Sequence, residues 1–416
     1  MNKVLVIGGG GREHAIVHAL SLSSQVDKIY AAPGNAGIAH MAQCVHLKDT
    51  QVDELLEFAK KEEITLTVVG PEASLALGIV DKFTAAGLTI FGPTQAATRI
   101  ESSKEFAKEL MKKYNVPTAD YQVFDDFESA NQYIHNHTLP IVLKYDGLAA
   151  GKGVVVAETM EQAELALEDM LLDQKFGKGR VVIEEFLSGP EFSFMCFVSD
   201  ENVYPMVVAQ DHKRAYDGDC GPNTGGMGAY SPLPFISQND IDWSLENIMK
   251  PMAKALVAEG TPFRGVLYGG LMKTNNGIKV IEFNARFGDP ETEVVLPRLK
   301  SEIFPIFMNI AKGIPCDEIV WDKRAAIGIV LASKGYPGSY EKGFPISGIG
   351  AVNGQVFHMG TAVKDGKIIT NGGRVLFVTI MGDDLAEAKQ KADAEVAKIK
   401  CDNLFHRTDI GWQAIK

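Results

Sequence analysis

Cysteine is scarce in this 416-residue sequence, and the few cysteines form no recognisable site. The five are Cys44, Cys196, Cys220, Cys316 and Cys401, scattered without a CxxC pair. This distribution argues against a zinc site and against a disulfide framework, and an odd number of separate thiols is typical of a reducing compartment. The sequence therefore predicts a fold held together by packing alone.

Long apolar runs and an excess of basic residues are also missing. No run of about 18 apolar residues occurs, so no membrane-spanning helix is predicted. The start, Met1–Ile7, leads directly into a glycine turn and lacks the apolar stretch and cleavage site of a signal peptide. A formal net charge of −12 argues against nucleic-acid binding, although it leaves room for small phosphorylated substrates. We expect a cytoplasmic protein that binds small molecules and neither nucleic acid nor membranes.

The order of apolar segments predicts several domains, as the length of the chain does. In roughly the first hundred residues, short apolar strands such as Val4–Ile7, Lys28–Ala32 and Leu66–Val69 alternate with helices such as Val52–Lys60. This alternation indicates a parallel α/β sheet covered on both faces.

The remaining segments predict a mixture of α/β and α+β units. A helix is expected from Ser103 to about Tyr114, and strands separated by a turn and a helix, between 141 and 186, indicate a small lid of mostly antiparallel strands. Residues 190–298 are rich in strand patterns, with one helix at Leu245–Glu259, and a further α+β segment follows. We predict domains at 1–102, 103–298 (with a lid at about 117–190) and 325–416.

The glycine turn after the first strand favours phosphate binding over dinucleotide binding. A dinucleotide fingerprint needs glycine at its sixth position, where this sequence has Glu13. The second strand also ends without an acidic residue to hold a ribose. Backbone N–H groups at Gly10 and Gly11, together with the Arg12 side chain, would suit a phosphate. The alternative is a turn that only lets strand meet helix.

A second glycine-rich loop lies between two strands, at 144–153. Lys144 ends an apolar strand, where a buried cation is costly without an anion. Gly151 and Gly153 flank Lys152 in a loop able to fold over phosphates. It is not a Walker loop, which would need Ser or Thr at Gly153. A plain hairpin with surface lysines is the alternative.

An acidic strand end follows about thirty residues later. The backbone at Glu184, Glu185, Phe186 and Leu187 is placed to pair with an adenine ring, and Glu191 to accept bonds from ribose hydroxyls. A solvated strand edge is the competing interpretation.

The strand at 280–284 favours a metal site. Because side chains alternate along a strand, Glu282 and Asn284 share one face. Two neighbouring oxygen ligands suit Mg²⁺, which completes its octahedron with phosphates and water. Arg286 would follow on the same face and suits a bidentate grip on a carboxylate or phosphate. The alternative is an exposed polar face.

A mixed-charge cluster at Gln210–Arg214 and the glycine-rich loop Gly221–Tyr230 lie between the lid and the metal strand. Such a pair suits a polar, zwitterionic or phosphorylated substrate, and a solvated loop explains it nearly as well.

These stretches together resemble the phosphoribosylamine–glycine ligase family of the ATP-grasp superfamily, from end to end. The motifs that carry the resemblance are GGREHA at Gly10–Ala15, APGNAG at Ala32–Gly37, VGPE at Val69–Glu72, DGLAAGKGV at Asp146–Val154, IEEFL at Ile183–Leu187, QDHKR at Gln210–Arg214, GPNTGGMGAYSP at Gly221–Pro232, IEFNARFGDPET at Ile281–Thr292, NGGRVL at Asn371–Leu376 and DIGW at Asp409–Trp412. Pro190, Ala285 and Tyr145 depart from the residues usual in the family.

The resemblance implies a pre-ATP-grasp domain, a lid subdomain, an ATP-grasp core and a C-terminal domain, with ATP bound between lid and core. It implies phosphate contacts for Lys104, Lys144 and Lys152, and Mg²⁺ or Mn²⁺ at Glu282 and Asn284. Gly10, Gly11, Asn35 and Glu72 would line the ribosyl-phosphate side. Asp211, Lys213, Arg286 and Asp289 would lie near the acyl phosphate and glycine.

The reaction implied is ATP-dependent ligation of glycine to 5-phosphoribosylamine through glycyl phosphate, in purine synthesis, by a protein that is a monomer. The rivals are an ATP-grasp enzyme for another carboxylate, a nucleotide sensor without turnover and a nicotinamide dehydrogenase.

Overall fold

The computed structural model describes residues 1–147 and 153–415. Across these two ranges, none of the helices combines the length and apolar character needed to cross a membrane. The cysteines are all free thiols.

The first hundred residues form a parallel five-stranded sheet in the order β3-β2-β1-β4-β5. Its strands are β1 (Lys3–Gly8), β2 (Lys28–Pro33), β3 (Gln43–Cys44), β4 (Leu66–Val69) and β5 (Ile90–Phe91), and its helices are α1 (Gly11–Ser21), α2 (Val52–Lys61), α3 (Glu72–Ala76), α4 (Ile79–Ala85) and α5 (Gln95–Ser102). The sheet is buried on both faces, as the continuous apolar runs predict. Strand β1 lies where the strand order reverses, which is where open α/β sheets bind ligands. The glycine turn therefore occupies a crevice.

The next segment forms the small antiparallel unit, with strand order β6-β9-β7-β8. Its elements, after helix α6 (Lys104–Lys113), are β6 (Tyr121–Phe124), α7 (Phe127–His135), β7 (Ile141–Tyr145), β8 (Val154–Ala157), α8 (Met160–Leu167) with a π turn at Glu168–Leu172, and β9 (Val181–Glu185). Leu143, Ile183 and Ala163 belong to a hydrophobic cluster of its own. This unit falls within the segment 117–190 that the sequence predicts to be a lid, and it is called the lid below.

A second antiparallel sheet, β11-β10-β16-β17, forms the floor beneath the lid. The elements of this region are β10 (Glu191–Ser199), β11 (Asn202–Pro205), β12 (Gln210–Asp211), β13 (Arg214–Tyr216), β14 (Cys220–Asn223), β15 (Gly228–Ser231), α9 (Gln238–Ser244), α10 (Lys250–Ala258), β16 (Arg264–Thr274), β17 (Gly277–Asn284), α11 (Thr292–Val295) and α12 (Ile303–Lys312).

The helix predicted at Leu245–Glu259 was placed too late in the sequence. Helical structure begins at Gln238, where Ser237 caps the first turn and Asp240 bonds back to its backbone. A π turn at Leu245–Met249 joins α9 to α10 and lies directly before Pro251, which lacks the N–H that a regular α-helix requires.

The C-terminal segment completes a six-stranded sheet whose main path is β12-β15-β18-β22-β19. Its elements are β18 (Ala325–Ser333), β19 (Gln355–His358), β20 (Thr361–Lys364), β21 (Lys367–Thr370), β22 (Arg374–Gly382), α13 (Leu385–Val396) and β23 (Leu404–Phe405). Strand β15 pairs antiparallel with β18. The Gln210–Arg214 cluster is therefore fixed against the C-terminal sheet as well as against the floor.

Candidate active site

Glu282 and Asn284 lie side by side on β17, facing the cleft between lid and floor. Strand β16 places Gly270 opposite Glu282, so the partner strand presents no side chain there. Glu282 is exposed to the cleft. The surrounding walls of the cleft partly desolvate its carboxylate, which raises the pKa, but Lys144, Lys213 and Lys104 outweigh this effect and lower the pKa below its ordinary value. Glu282 is therefore an ionised carboxylate among cations.

Lys144 is buried at the end of β7 and is held by a carboxylate from the neighbouring strand. Its Nζ lies 3.0 Å from Glu184 Oε2 and donates to the carbonyl of Ile281 at 3.0 Å. The same Glu184 oxygen lies 3.0 Å from Lys108 Nζ. The anion that a buried lysine requires is thus supplied within the protein.

Lys108 is a site residue that the sequence analysis missed. It lies one turn after Lys104 on α6, and its Nζ also donates to Thr118 Oγ1 at 2.8 Å. Burial lowers its pKa to about 8, with Glu184 opposing this effect. The sequence contains one sign of this role: Lys108 shares a helix face with the apolar residue Met111, so its charged side chain is expected to be buried.

Lys104 joins the first turn of α6 to the phosphate-handling loop. Asp146 accepts hydrogen bonds from the backbone N–H groups of Lys104 and Glu105, at 2.5 and 3.2 Å, and Lys104 Nζ donates to the Gly147 carbonyl at 3.1 Å. Gly153 closes the loop by accepting from the Tyr145 N–H at 2.8 Å. The predicted phosphate contacts at Gly151 and Lys152 lie outside the described residues.

The predicted adenine segment runs along the end of β9. Glu184 faces inward, whereas Glu185 is exposed and pairs with Lys279 at 2.6 Å. Phe186 is exposed and Leu187 half-buried just beyond the strand. Glu191 begins β10, and burial in the cleft together with Asp211 and Glu282 raises its pKa.

Asp211 and Lys213 form an ion pair, 2.7 Å apart, beside the cleft. Burial would lower the pKa of Lys213, but Asp211, Tyr268 and Glu291 raise it well above its ordinary value. Glu291, another residue missed from the sequence, is buried and accepts hydrogen bonds from Tyr268 at 2.5 Å and Ser193 at 2.9 Å.

Arg286 is tied to two carboxylates from the first domain. Its Nε lies 3.1 Å from Glu72 and its Nη2 lies 3.0 Å from Glu101, while Nη2 also donates to Asn284 Oδ1 at 3.3 Å. Strand β17 ends at Asn284, so Arg286 lies beyond the strand whose face it would share only if that strand continued.

The Arg12 guanidinium is also engaged within the protein, at 2.6 Å from Glu13 and 3.9 Å from Glu72. Glu13 itself accepts from the Gly10 N–H at 2.6 Å. Both the Arg12 side chain and the Gly10 N–H therefore have a carboxylate partner, and the phosphate contact expected at this turn stays a prediction.

A cavity of about 380 Å³ opens beside the glycine turn. It is lined by Gly9–Gly11, Gly34, Asn35, Asp289, Met359–Thr361 and Asn371–Arg374. Gly10, Gly11 and Asn35, predicted on the ribosyl-phosphate side, share this lining with Asp289, which was predicted near the acyl phosphate. Glu72, also predicted on the ribosyl-phosphate side, pairs with Arg286. Arg374 pairs with Asp289 at 2.9 Å and was missed, although the NGGRVL motif contains it.

Three family models match successive parts of the chain. They describe the phosphoribosylglycinamide synthetase N domain at residues 2–101, its ATP-grasp (A) domain at 102–292 and its C domain at 326–413. The phosphoribosylamine–glycine ligase of Halalkalibacterium halodurans is 53% identical over 416 residues, covering 99% of this chain and 97% of that protein. The chain belongs to the phosphoribosylglycinamide synthetase family. This membership confirms the predicted fold class and the predicted enzyme class, an ATP-dependent ligase.

Other members and more distant structures agree with this assignment. The ligase of Streptococcus pneumoniae serotype 4 is 49% identical, with 100% of both chains covered. The crystal structure of the Thermotoga maritima phosphoribosylamine–glycine ligase superposes with a TM-score of 0.87 at 33% identity, over 98% of this chain and 100% of that one. The biotin carboxylase domain of a Hydrogenobacter thermophilus 2-oxoglutarate carboxylase, solved with MgADP, shares the fold alone, with a TM-score of 0.75 at 16% identity over 97% of this chain and 91% of that one.

Proposed function

We propose that this family member joins glycine to 5-phosphoribosylamine through glycyl phosphate, in the cleft between the lid and the floor sheet. The products are glycinamide ribonucleotide, ADP and phosphate, as in purine synthesis. The observation that carries the proposal is the position of Glu282, an ionised carboxylate beside Asn284 and among Lys104, Lys144 and Lys213.

This arrangement fits a magnesium–nucleotide complex. No group of three or more His, Cys, Asp and Glu side chains able to hold a metal occurs among residues 1–147 and 153–415. Two oxygen ligands on one strand face are what Mg²⁺ uses when substrate phosphates and water complete its coordination. Glu282 and Asn284 would hold the ion, which would neutralise phosphate charge when bound. The alternative predicted ion, Mn²⁺, stays a prediction.

The lysines would position the triphosphate. Lys104 and Lys144 approach the cleft from α6 and β7. We assign the backbone at Glu184–Leu187 to the adenine and Glu191 to the ribose, since these residues lie along the same wall. Charge neutralisation and alignment are the main means by which proteins accelerate phosphoryl transfer.

The chemistry requires two displacements. A glycine carboxylate oxygen attacks the γ-phosphorus, the bond to the β-phosphate oxygen breaks, and ADP leaves. The amine of phosphoribosylamine then attacks the carbonyl carbon, phosphate leaves, and the amine loses a proton. Lys213, Arg286 and the carboxylates of Asp211 and Asp289 are proposed to orient the glycyl group and the amine, with closure of the lid excluding water.

The cavity at the glycine turn is proposed to bind the ribosyl phosphate. Its wall includes Gly11 at the start of α1, where the helix dipole favours an anion, whereas the Gly10 N–H is already donated to Glu13. Arg374, on the opposite wall, adds a charged donor group.

Two measurements test the proposal. ADP release with glycine and freshly prepared phosphoribosylamine together should exceed release with either alone, and mass spectrometry should detect glycinamide ribonucleotide. Glycine labelled with ¹⁸O in its carboxylate should transfer one ¹⁸O to the released phosphate. Turnover without this transfer would exclude glycyl phosphate, and turnover with bicarbonate or formate instead of glycine would favour another ATP-grasp reaction.

The domain division at 1–102, 103–298 and 325–416, with a lid at about 117–190, is also proposed. It is supported by the separate first sheet, lid sheet and floor sheet. Strands β12 and β15 modify it, because they add residues of the second segment to the C-terminal sheet. The monomeric state and the cytoplasmic location stay predictions.

A further inference from the structure

The edge strand β19 is hydrogen-bonded to the first domain at His358. Strand β19 is the last strand of its sheet and pairs on one side only, with β22. At His358 both the backbone N–H and the backbone C=O point outward, because the two groups of one residue leave a strand on the same side. The N–H donates to His14 Nδ1 at 2.8 Å, and the C=O accepts from Asn35 Nδ2 at 2.7 Å.

His14 acts here as a neutral acceptor. It is 3% exposed, on the inner face of α1, and its ring packs edge-on against Phe357. Burial lowers its pKa to about 3, with His358 and His18 adding to this effect. At neutral pH the imidazole therefore has a free lone pair on one nitrogen, and the contact with the His358 N–H identifies that nitrogen as Nδ1.

Asn35 has its polar atoms committed within the protein. Its Nδ2 donates to the Gly9 carbonyl at 2.9 Å as well as to His358, and its Oδ1 accepts from the Gly37 and Ile38 N–H groups at 2.9 Å each. An Asn side chain offers two donors and two acceptor sites, and all four are used. The resemblance placed Asn35 on the ribosyl-phosphate side, where it lines the cavity, and these four bonds fix the orientation of its amide.

The residues that follow His358 form one wall of the cavity. Met359, Gly360 and Thr361 line it directly, and His358 Nδ1 lies 2.8 Å from Thr361 Oγ1. The opposite wall is the glycine turn, to which Asn35 is bonded through Gly9. The two backbone groups of His358 therefore set the distance between the walls.

We propose that His14 and Asn35 are positioning residues that clamp β19 to the glycine turn and so shape the ribosyl-phosphate cavity. This inference rests on the proposed function, which assigns the cavity to phosphoribosylamine.

The chain offers a matched control one helical turn away. His18 packs against the same Phe357, with ring centroids 6.0 Å apart, but contributes to neither bond at His358. A variant at His18 therefore loses an imidazole from this helix face but keeps the His14 Nδ1 acceptor, which distinguishes the two effects.

The test compares four variants of the full chain. His14→Leu removes the acceptor. His14→Asn keeps an acceptor two bonds from Cβ, where Nδ1 stood, and His14→Gln moves it one bond further out. His18→Leu is the control. Affinity for the stable product, glycinamide ribonucleotide, is measured by calorimetry, and KM for phosphoribosylamine, glycine and ATP is measured together with kcat.

We expect His14→Leu to weaken product affinity and raise KM for phosphoribosylamine about 10-fold, because an unsatisfied buried N–H frees the strand. KM for ATP and kcat should change less than about twofold, since the clamp touches neither. His14→Asn should recover most of the loss, His14→Gln should not, and His18→Leu should match the wild type.

The proposal fails if His14→Leu binds product like the wild type, or if all three KM values rise together. It also fails if His14→Asn and His14→Gln behave alike, a comparison that stays informative should His14→Leu not fold.

A further variant, Arg374→Met, tests whether the cavity itself binds the product. If this variant binds product normally, the proposed function is wrong about the cavity; if it loses affinity while His14→Leu does not, only the clamp is wrong.

Discussion

The proposed nucleotide side and the proposed ribosyl side of this active site are built in opposite ways. On the nucleotide side, cations and carboxylates are crowded together: Lys108 and Lys144 share one oxygen of Glu184, and Lys104 and Lys144 both act on Glu282. On the ribosyl side, the cavity wall consists mainly of glycines and backbone groups, with the Asp289–Arg374 pair as its ionic component.

This difference determines which interactions within the protein must change when each ligand binds. A triphosphate has to exchange partners with ions that are already paired, because Lys144 is held by Glu184. Lys108 lowers the free-energy cost of that exchange, because Glu184 remains paired with Lys108 when Lys144 moves to the phosphate. A ribosyl phosphate instead enters a cavity whose walls are fixed by neutral hydrogen bonds. The nucleotide side should therefore respond mainly to changes of charge, and the ribosyl side to changes of shape.

Glu282→Ala should have the largest effect, because it removes the carboxylate around which the cations gather. We expect glycine-dependent ADP formation to fall on the order of 10³-fold, as when a charge-stabilising group is removed from a transition state. Glu282→Gln keeps the shape and should fall nearly as far. Circular dichroism of both variants should match the wild type, and full activity would refute the metal assignment.

Lys144→Met should raise KM for ATP about 100-fold, the value of a charged hydrogen bond to phosphate. The urea midpoint should change little, because Lys108 still neutralises Glu184. Lys144→Met combined with Glu184→Gln, in contrast, leaves Lys108 buried without an anion and should be less stable than the single variant. An unchanged ATP affinity would remove Lys144 from the nucleotide site.

The two sides also differed in how much of them could be predicted from the sequence. Lys144, Glu282 and Asn284 lie in short strands whose period-two pattern shows which side chains share a face. The floor sheet then places Glu282 where the pattern predicts it. Because such patterns are local, the fold class and the candidate residues of the nucleotide side could be predicted from the sequence.

The ribosyl side depends on contacts that no local pattern contains. His14 meets His358 across 344 positions, and Arg374 meets Asp289 across 85. Arg12 was expected to bind phosphate because of its place beside the turn, but Glu13 and Glu72 engage it. Side-chain partners of this kind depend on how the domains pack, which periodicity within one segment does not show.

Gly11→Ala tests whether shape governs the ribosyl side. An added Cβ would lie 2.3 Å from Glu293 Oε1 and 2.9 Å from Met359 Cγ, one residue buried and the other in the cavity wall. We expect KM for phosphoribosylamine to rise about 10-fold and the free energy of unfolding to fall by about 1–3 kcal/mol from overpacking. Gly350→Ala is the matched control, because its Cβ would meet nothing within 4 Å. Similar behaviour of the two variants would contradict a tightly fitted wall.

The smallest effect is expected from acid, which should loosen the ribosyl side through its neutral histidines. Burial lowers the pKa of His14 to about 3, and burial with His40 lowers that of His358 to about 4. An unfolded histidine titrates near 6.5, so between about pH 6.5 and 4 the unfolded chain binds more protons and stability falls as pH falls.

From pH 7 to 5 each such histidine should reduce the free energy of unfolding by about 2 kcal/mol. His14→Asn lacks one of these groups, so its urea midpoint should fall less over this interval than that of the wild type. Carboxylates titrate alike in both proteins and cancel from the comparison. Equal losses would mean that the His14 ring is protonated as readily in the folded protein as in the unfolded chain, and that it is not held as the neutral acceptor of the His358 N–H.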